Sequence, residues 1–372
     1  MPYTTINKST DHFNTITYTG NAASTRAITG VGFQPDLTWI KNRDDGTRYH
    51  VVADVVRGAN GSGAMNLIYP NDAQAQNTTD TTNIKSLDSD GFTVGSDNNV
   101  NKNSAGQVAW NWKAGGGQGS SNTDGTINTT YTSVNTTAGF SISQWNGNGS
   151  ASATVGHGLG VIPKVIISKA ISASPPEGGW FVMHSSLADG ENLRLNETHG
   201  QFSTSQFSSG LIKESATTNQ VFGFQAGSGA NNGVDNVNAS GHTYITYCFA
   251  EKTGYSKFGF YTGNGSTDGT FVYTGFKPKF VIIKDNTTRN WVLNDAVRDS
   301  YNYVRNTLTP NDAAAEFDNS NYNRMDFLSN GFKLRGGSAG VGNDTNKSSN
   351  TYLYLAFGQS LVGSNNVPCT AR

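Results

Sequence analysis

The sequence predicts an all-β protein made of three tandem antiparallel β-sandwich domains. Short runs of β-branched and aromatic residues, such as 180–183 (WFVM) and 244–247 (YITY), are bounded by Gly, Asn, Asp or Pro, as is typical of strands. A motif that begins with proline and ends with lysine occurs three times, at 35–41 (PDLTWIK), 163–169 (PKVIISK) and 278–284 (PKFVIIK). The spacing between the motifs is the size of an independent domain, which indicates three copies of one domain.

Three further landmarks keep the same order around each motif. An aromatic residue opens a polar turn ahead of the motif, at Tyr18, Trp145 and Tyr261. A Gly-Phe pair follows the motif, at 91–92, 223–224 and 331–332. Each copy closes on an aromatic strand, at 108–112, 244–249 and 352–357. Four landmarks in one order support the repeat.

The motif strand also predicts which side chains share a face. Proline at its head fits a first strand position, because proline has no N–H to donate to the ladder. Period-two alternation places Trp39 and Lys41 on one face and Ile40 on the other. We therefore expect Lys41, Lys169 and Lys284 at equivalent positions, each pointing to a face that is not the core.

Composition sets the predicted boundaries between the copies. The run at 115–121 (GGGQGSS) has the composition of a flexible linker, whereas only residues 250–254 separate copies two and three. We expect copies two and three to be held at a fixed angle and copy one to be freer. Copies one and three share Asp-x-x-Arg and Pro-Asn-Asp-Ala patterns that copy two lacks. The assignment is repeat 1 at 1–117, a Gly/Ser/Thr-rich linker at 118–138, a divergent repeat 2 at 139–253, repeat 3 at 254–360 and a polar tail at 361–372.

Charge and apolar content narrow the classes of partner. Charged residues are 14% of the chain and the formal net charge is -1, against about 25% charged residues in a typical soluble domain. The basic stripe that phosphate neutralisation needs is missing, so we expect neither nucleic acid nor membrane insertion. The N-terminus lacks a signal-peptide pattern, and no apolar run approaches the ~18 residues of a membrane span. Cys248 reads as a small core residue.

A family resemblance adds to this interpretation. The YTGN turn at 18–21 and the segments 32–44 (GFQPDLTWIKNRD), 86–96 (SLDSDGFTVGS) and 109–116 (AWNWKAGG) resemble a repeat domain of unknown function found in virion proteins of marine tailed phages, including cyanophages. The similarity covers copies one and three well and copy two loosely. It implies jelly-roll, concanavalin-like sandwiches in a tail fibre or another surface appendage, a homotrimer, and a place in the virion after assembly in the host cytoplasm. It implies no catalytic residue.

The residues themselves show little catalytic patterning. The six histidines lack zinc-ligand spacing, and no Gly-x-Ser-x-Gly nucleophile turn occurs, so we predict no enzyme, no cofactor and no metal. The acidic residues Asp189, Glu191 and Glu197 could serve a glycosidase, but they read better as a solvated loop. Asp88 and Asp90 resemble the start of a calcium loop without its closing Glu, and a turn before a strand explains them better.

Carbohydrate binding is the sharper functional hypothesis. Sugar hydroxyls pair with amides and carboxylates, while sugar rings pack on aromatic faces. The turns at 145–148 (WNGN) and 261–264 (YTGN) have this chemistry. The same turns also suit a hairpin in which Asn-Gly supplies a positive φ and the aromatic ring packs on the sandwich. Recognition is placed in repeat 2, because its loops at 172–180 and 189–198 depart most from the shared pattern. The candidate binding residues are Trp145, Asn146, Asn148, Trp180, Glu191, Tyr261 and Asn264.

Three function classes remain open at this stage. The first is a virion structural protein, in a tail fibre or surface appendage, that contacts itself and other virion proteins and presents a site to a host-surface glycan or protein. The second is a capsid decoration protein that clamps shell subunits, and the third is a polysaccharide-degrading enzyme. The divergence of repeat 2 favours the first class, since one copy can specialise while its neighbours act as scaffold.

Overall fold

The computed structural model describes residues 4–172, 179–203, 211–225, 237–318, 324–336 and 344–360. Strands dominate this part of the chain, and its helical elements are single turns at Ser9–Asp11, Asn98–Asn101 and Glu214–Ala216. The ladders between the strands are antiparallel, which confirms the all-β sandwich class. None of the described helical turns is long and apolar enough to cross a bilayer. The polar tail at 361–372 lies outside the described residues.

Repeat 1 forms two sheets. Its strands are β1 (Phe13–Thr19), β2 (Arg26–Thr29), β3 (Leu37–Asn42), β4 (Val51–Asp54), β5 (Ile84–Asp88), β6 (Gly91–Val94) and β7 (Gly106–Trp112). The large sheet has the order β1-β7-β3-β4, and the small sheet has the order β2-β6-β5. The three-times repeated motif is β3, at an interior position of the large sheet.

Repeat 2 follows the same plan with a wider large sheet. Its strands are β8 (Thr129–Asn135), β9 (Phe140–Asn146), β10 (Thr154–Gly156), β11 (Val165–Ala170), β12 (Trp180–His184), β13 (Leu193–Arg194), β14 (Ile212–Lys213), β15 (Val221–Phe224) and β16 (Thr243–Phe249). The sheets are β13-β12-β11-β16-β9-β8 and β10-β15-β14. The structure differs here from the predicted linker at 118–138, because β8 lies inside that segment and pairs with β9.

Repeat 3 returns to the arrangement of repeat 1. Its strands are β17 (Ser256–Thr262), β18 (Phe271–Tyr273), β19 (Pro278–Asp285), β20 (Trp291–Asp295), β21 (Asn306–Thr307), β22 (Phe317–Asp318), β23 (Met325–Leu328), β24 (Gly331–Leu334) and β25 (Thr351–Gly358). The large sheet is β17-β25-β19-β20, the small sheet is β18-β24-β23, and β21 pairs with β22.

Strand register confirms that the three motif lysines are equivalent. The lysines lie opposite the third residue of the closing strand, in the pairs Lys41–Val108, Lys169–Ile245 and Lys284–Leu353. The turn aromatics lie opposite the residue just before, in the pairs Tyr18–Gln107, Trp145–Tyr244 and Tyr261–Tyr352. The sequence alignment of these landmarks therefore holds.

One landmark of repeat 2 is displaced by two residues. In the small sheets Phe92 lies opposite Ile28 and Phe332 opposite Val272, but the residue opposite Val155 is Phe222 rather than Phe224. The hairpin between β14 and β15 is longer than its counterparts and contains the turn Glu214–Ala216. The Gly-Phe pair at 223–224 is therefore a coincidence of sequence rather than the repeated feature.

The repeats share an apolar core in addition to the three cores inside the sandwiches. Each sandwich buries one cluster between its two sheets, and a fourth cluster draws residues from all three large sheets. In this shared core the ring of Trp110 lies 5.9 Å from that of Phe280, and the ring of Phe249 lies 6.0 Å from that of Phe357. Repeat 1 was expected to be freer, but its Phe13 stacks on Phe357 at 5.2 Å.

The middle strands of the large sheets are consequently buried on both faces. All six residues of β3 are buried, with Ile40 in the core of repeat 1 and Trp39 in the shared core. Strands with two buried faces read as continuous apolar runs rather than as an alternation, which is how the Pro-to-Lys motifs appear. The lysines therefore point away from the core of their own sandwich, as expected, but into an interior and not to solvent.

Candidate functional site

The three motif lysines join the repeats in a cycle. Lys41 Nζ donates to the carbonyl of Ala313 in repeat 3 at 2.9 Å, and Lys169 Nζ donates to Ala73 O in repeat 1 at 3.0 Å. Lys284 Nζ completes the cycle by donating to Thr198 O in repeat 2 at 3.3 Å. All three lysines are fully buried, and burial lowers the pKa of Lys169 to about 7 and of Lys41 and Lys284 to about 8.

A second cycle uses ring nitrogens at the strand position opposite each lysine. Trp180 Nε1 donates to Tyr69 O in repeat 1, and Trp291 Nε1 donates to Arg194 O in repeat 2, both at 2.9 Å. The equivalent residue of repeat 1 is His50, whose Nε2 lies 3.1 Å from Thr309 O in repeat 3. Both sets of hydrogen bonds therefore run from repeat 1 to repeat 3, from repeat 2 to repeat 1 and from repeat 3 to repeat 2.

Buried carboxylates add a third set of links. Asp54 accepts from Arg57 Nε at 2.6 Å and from the hydroxyl of Tyr247 in repeat 2 at 2.7 Å. Asp295 accepts from Arg298 Nε at 2.6 Å and from Trp110 Nε1 in repeat 1 at 3.0 Å. The shared Asp-x-x-Arg pattern is therefore a buried ion pair that also receives a donor from a neighbouring repeat. In repeat 2 His184 stands in the same strand position and faces Tyr354 O.

Repeat 2 retains one feature that its sequence concealed. The backbone N–H of Trp180 donates to Asn196 Oδ1 at 3.0 Å, as those of His50 and Trp291 donate to Asn71 and Asn311. The segment 195–198 therefore replaces the Pro-Asn-Asp-Ala turn in its structural role. The sequence pattern is absent from repeat 2, but the segment that stands in its place keeps the contact, because one asparagine carries it and the neighbouring residues vary.

The turn aromatics proposed for binding lie in the interior. Trp145 is fully buried, stacks on Tyr244 with a ring separation of 4.6 Å and donates from Nε1 to Thr246 Oγ1. Tyr261 is buried, stacks on Tyr352 at 5.1 Å and donates its hydroxyl hydrogen to a carbonyl. Neither ring is open to a ligand.

The asparagines beside these rings are exposed but fix the turns. The backbone N–H of Asn148 donates to Asn238 Oδ1 at 2.9 Å, and that of Asn264 donates to Asn346 Oδ1 at 3.1 Å. Asn146 accepts from the hydroxyl of Thr243 at 2.9 Å. The glycines of these turns are needed for a close backbone approach: a Cβ at 20, 147 or 263 would lie 2.0, 2.2 or 2.3 Å from a carbonyl oxygen.

The two candidate residues from the divergent loops of repeat 2 do not form a surface site together. Trp180 is only 2% exposed and is held between repeats by its hydrogen bonds to Tyr69 O and Asp72 O. Glu191 is half-buried, and its backbone N–H donates to Ala188 O at 3.0 Å. The placement of Trp180 in a binding surface is therefore wrong, because the aromatic ring seals an interface. Residues 173–178 of the predicted loop lie outside the described residues.

Three histidines make hydrogen bonds within the chain through both ring nitrogens. His50 Nδ1 accepts from Trp39 Nε1 at 2.9 Å, so the ring is neutral and Nε2–H faces Thr309 O. In His157 and His184 Nδ1 likewise accepts from a backbone N–H and Nε2 faces a carbonyl. Burial lowers the pKa of all three. These rings are structural.

The acidic turn considered for calcium is also tied internally. Asp88 accepts from the hydroxyl of Thr93 at 2.7 Å, and the carboxylate of Asp90 accepts from the backbone N–H groups of Gly30 and Gly32. No group of three or more His, Cys, Asp or Glu side chains that could hold a metal ion occurs in the part of the chain that the structure describes. Asp88 thus ties the hairpin β5-β6 to itself, and Asp90 holds that hairpin against the segment after β2.

Exposed aromatic rings are concentrated on repeat 3. Among the described residues, six of the nine exposed large hydrophobic side chains are aromatic rings of this repeat: Phe260, Phe271, Tyr273, Tyr301, Tyr303 and Phe317. Tyr301 is the most exposed of them at 79%. Since large exposed apolar side chains can mark interaction sites, repeat 3 rather than repeat 2 carries the candidate site.

The candidate site is the loop at 299–305, between β20 and β21. Clefts of about 360 and 380 Å³ lie along it, and both are lined by residues 299–302. Tyr301 borders both clefts, and Tyr303 borders the second. The sequence contained a signal for this loop: the segment after Asp-x-x-Arg reads GANGSGA at 58–64 in repeat 1 but DSYNYVR at 299–305 in repeat 3. A comparison of the two aligned copies could have found it.

The fold and the candidate site together define a protein of three β-sandwich repeats around one shared core, with an exposed aromatic loop on repeat 3. The chain belongs to the family described as a domain of unknown function, DUF7483, whose model matches residues 8–360. That match spans all three repeats. No curated protein matches the chain, and no solved structure matches it either.

Proposed function

We propose that the chain is a non-catalytic structural component of a tailed-phage virion, in a tail fibre or another surface appendage, that presents a site to the host surface. Support for the virion comes from the resemblance of 32–44, 86–96 and 109–116 to a repeat of marine phage virion proteins. Support for a structural role comes from the way in which the polar groups of the interior are used.

The shared core is the observation that carries the structural role. It joins three sandwiches through packed rings, such as Phe13 on Phe357, and through buried hydrogen bonds that run between repeats. Such a body is rigid, because close-packed interiors resist deformation. Loops on a rigid sandwich can change without harm to the core, which suits a module that displays one specialised surface.

The non-catalytic part of the proposal rests on how the buried titratable groups are used. His50, His157 and His184 make structural hydrogen bonds through both ring nitrogens. Asp54 and Asp295 are buried in ion pairs with Arg57 and Arg298. A general base needs a lone pair within reach of a substrate proton, and these groups present none to solvent.

Immunogold labelling of intact particles tests the virion role. An antibody raised against the purified chain is applied to particles of a phage that encodes it, and peptides of the chain are sought in the same particles by mass spectrometry. We expect gold on the tail or its appendages. Gold over the shell would favour a capsid decoration protein. Particles that carry neither label nor peptides would contradict the proposal.

A further inference from the structure

We infer that the loop at 299–305 binds a neutral oligosaccharide, with the rings of Tyr301 and Tyr303 as packing platforms. This inference rests on the proposed function, because it names the ligand class of the surface that the module presents. The supporting observations are the rigidity of the loop, the clefts beside it, the internal pairing of its charges and its absence from the other repeats.

The loop is held in one shape by its polar residues. The carboxylate of Asp299 accepts from the backbone N–H groups of Arg305 and Asn306, at 2.7 and 2.6 Å. Asn302 Nδ2 donates to Phe327 O at 3.2 Å, and Asn302 Oδ1 accepts from Phe327 N at 3.0 Å. Because the loop is already ordered, a ligand need not provide the free energy to order it.

The fixed loop presents its tyrosines outward. Tyr301 is 79% and Tyr303 49% exposed, whereas Val304 between them and β21 is buried against the sandwich. Tyrosine offers a large rigid ring at a small cost in conformational entropy. The clefts of about 360 and 380 Å³ on the two sides fall within the usual volume range of small-ligand sites.

Charge around the loop indicates a neutral ligand. Arg298 is paired with Asp295 and Glu316, both at 2.6 Å, and Arg305 Nε lies 3.4 Å from Asp318. The guanidinium of Arg324 lies 5.0 Å from the centre of the Tyr303 ring. Lys277 and Lys279 line the cleft of about 360 Å³, and Lys279 Nζ donates to Asn14 Oδ1 at 2.7 Å. Since the arginines are engaged with carboxylates or a ring and Lys279 with an amide, the surface matches apolar C–H faces and hydroxyls better than a strong anion. Saccharides combine those two features.

The other repeats show that the sandwich does not require these rings. Repeat 1 has GANGSGA at 58–64 in the corresponding connection. Repeat 2 has the shorter connection 185–192 (SSLADGEN), which also lacks an aromatic residue. Both copies nevertheless form a large sheet on the same plan and join the same shared core. The tyrosines of repeat 3 therefore serve a purpose other than folding.

The test is binding of defined neutral trisaccharides to the full chain and four variants. Maltotriose, cellotriose, laminaritriose and mannotriose are titrated by isothermal calorimetry up to millimolar concentration, and the variants are Tyr301→Ala, Tyr303→Ala, Tyr301→Phe and, as matched control, Tyr273→Ala. Tyr273 is 63% exposed in the same repeat but lies on β18, separated from the loop by β24 and β23.

We expect at least one trisaccharide to bind. Tyr301→Ala and Tyr303→Ala should each raise the dissociation constant by about tenfold. Tyr301→Phe and Tyr273→Ala should bind with the affinity of the unaltered chain. All variants should have the same melting temperature. Binding of none of the four sugars, or equal binding by the alanine variants, would overturn the inference. If the antibody labels the appendages but no sugar binds, only this inference fails. If a sugar binds but the chain is missing from the particles, only the virion role fails.

Discussion

Replacing Tyr247 with phenylalanine removes a single hydroxyl that links repeat 2 to repeat 1. The hydroxyl donates to Asp54 Oδ2 at 2.7 Å, and both residues are buried. The ring stays in the shared core, so the change isolates the hydrogen bond. A hydrogen bond to a charged group contributes about 1.5–3 kcal/mol. Asp54 keeps its ion pair with Arg57, so we expect the free energy of unfolding to fall by about 2 kcal/mol.

Urea unfolding, followed by tryptophan fluorescence and by circular dichroism, measures that loss. Because Tyr247 packs in a core to which all three repeats contribute, the whole transition should move to lower urea with both probes. The matched control is Tyr273→Phe on the exposed β18, whose effect should stay within about 0.5 kcal/mol. An unchanged midpoint for Tyr247→Phe, or a shift of only part of the transition, would refute the reasoning.

Three further predictions concern stability. Burial lowers the pKa of His184 to about 4, so between pH 6.5 and 4 the unfolded chain binds a proton at this residue that the folded chain does not. This histidine alone should therefore lower stability by up to about 3 kcal/mol as pH drops from 6.5 to 4. His184→Gln should remove that contribution from the pH profile of the melting temperature and leave those of His50 and His157. Gly263→Ala should lower the urea midpoint markedly, since its Cβ would lie 2.3 Å from Lys347 O, whereas Gly117→Ala, with open space around it, should not. Trp180→Ala should lower the free energy of unfolding by about 3–5 kcal/mol, and a soluble variant of unaltered stability would show that this ring does not seal the repeats.

The repeat order and the strand register were accessible from the sequence because they depend on local pattern. Proline, alternation and the final lysine fix the motif strand, and the ladder places Lys41, Lys169 and Lys284 at one position. The environment of these lysines was not accessible. Their carbonyl partners, such as Ala313 for Lys41, lie far away in the sequence. Nothing in the local sequence distinguishes a lysine that is buried against such carbonyls from one that is exposed to water.

The site was harder to predict because divergence and exposure are different properties. Trp180 stands in the most divergent repeat, but it makes the same interface contacts as Trp291 of repeat 3. The turns that contain Trp145 and Tyr261 have the composition of a sugar-binding site, but both rings are buried in the core. The exposed rings of Tyr301 and Tyr303 stand in a repeat whose landmarks are regular, so only a loop-by-loop comparison of the copies would have singled them out.

Calorimetric unfolding of the full chain tests the central claim, that three sandwiches form one body around a shared core. The enthalpy measured by scanning calorimetry is compared with the van't Hoff enthalpy obtained from the shape of the same transition. Because the shared cluster draws on all three large sheets, we expect one transition with a ratio of about one. A ratio of about three, or resolved transitions for separate repeats, would contradict the account.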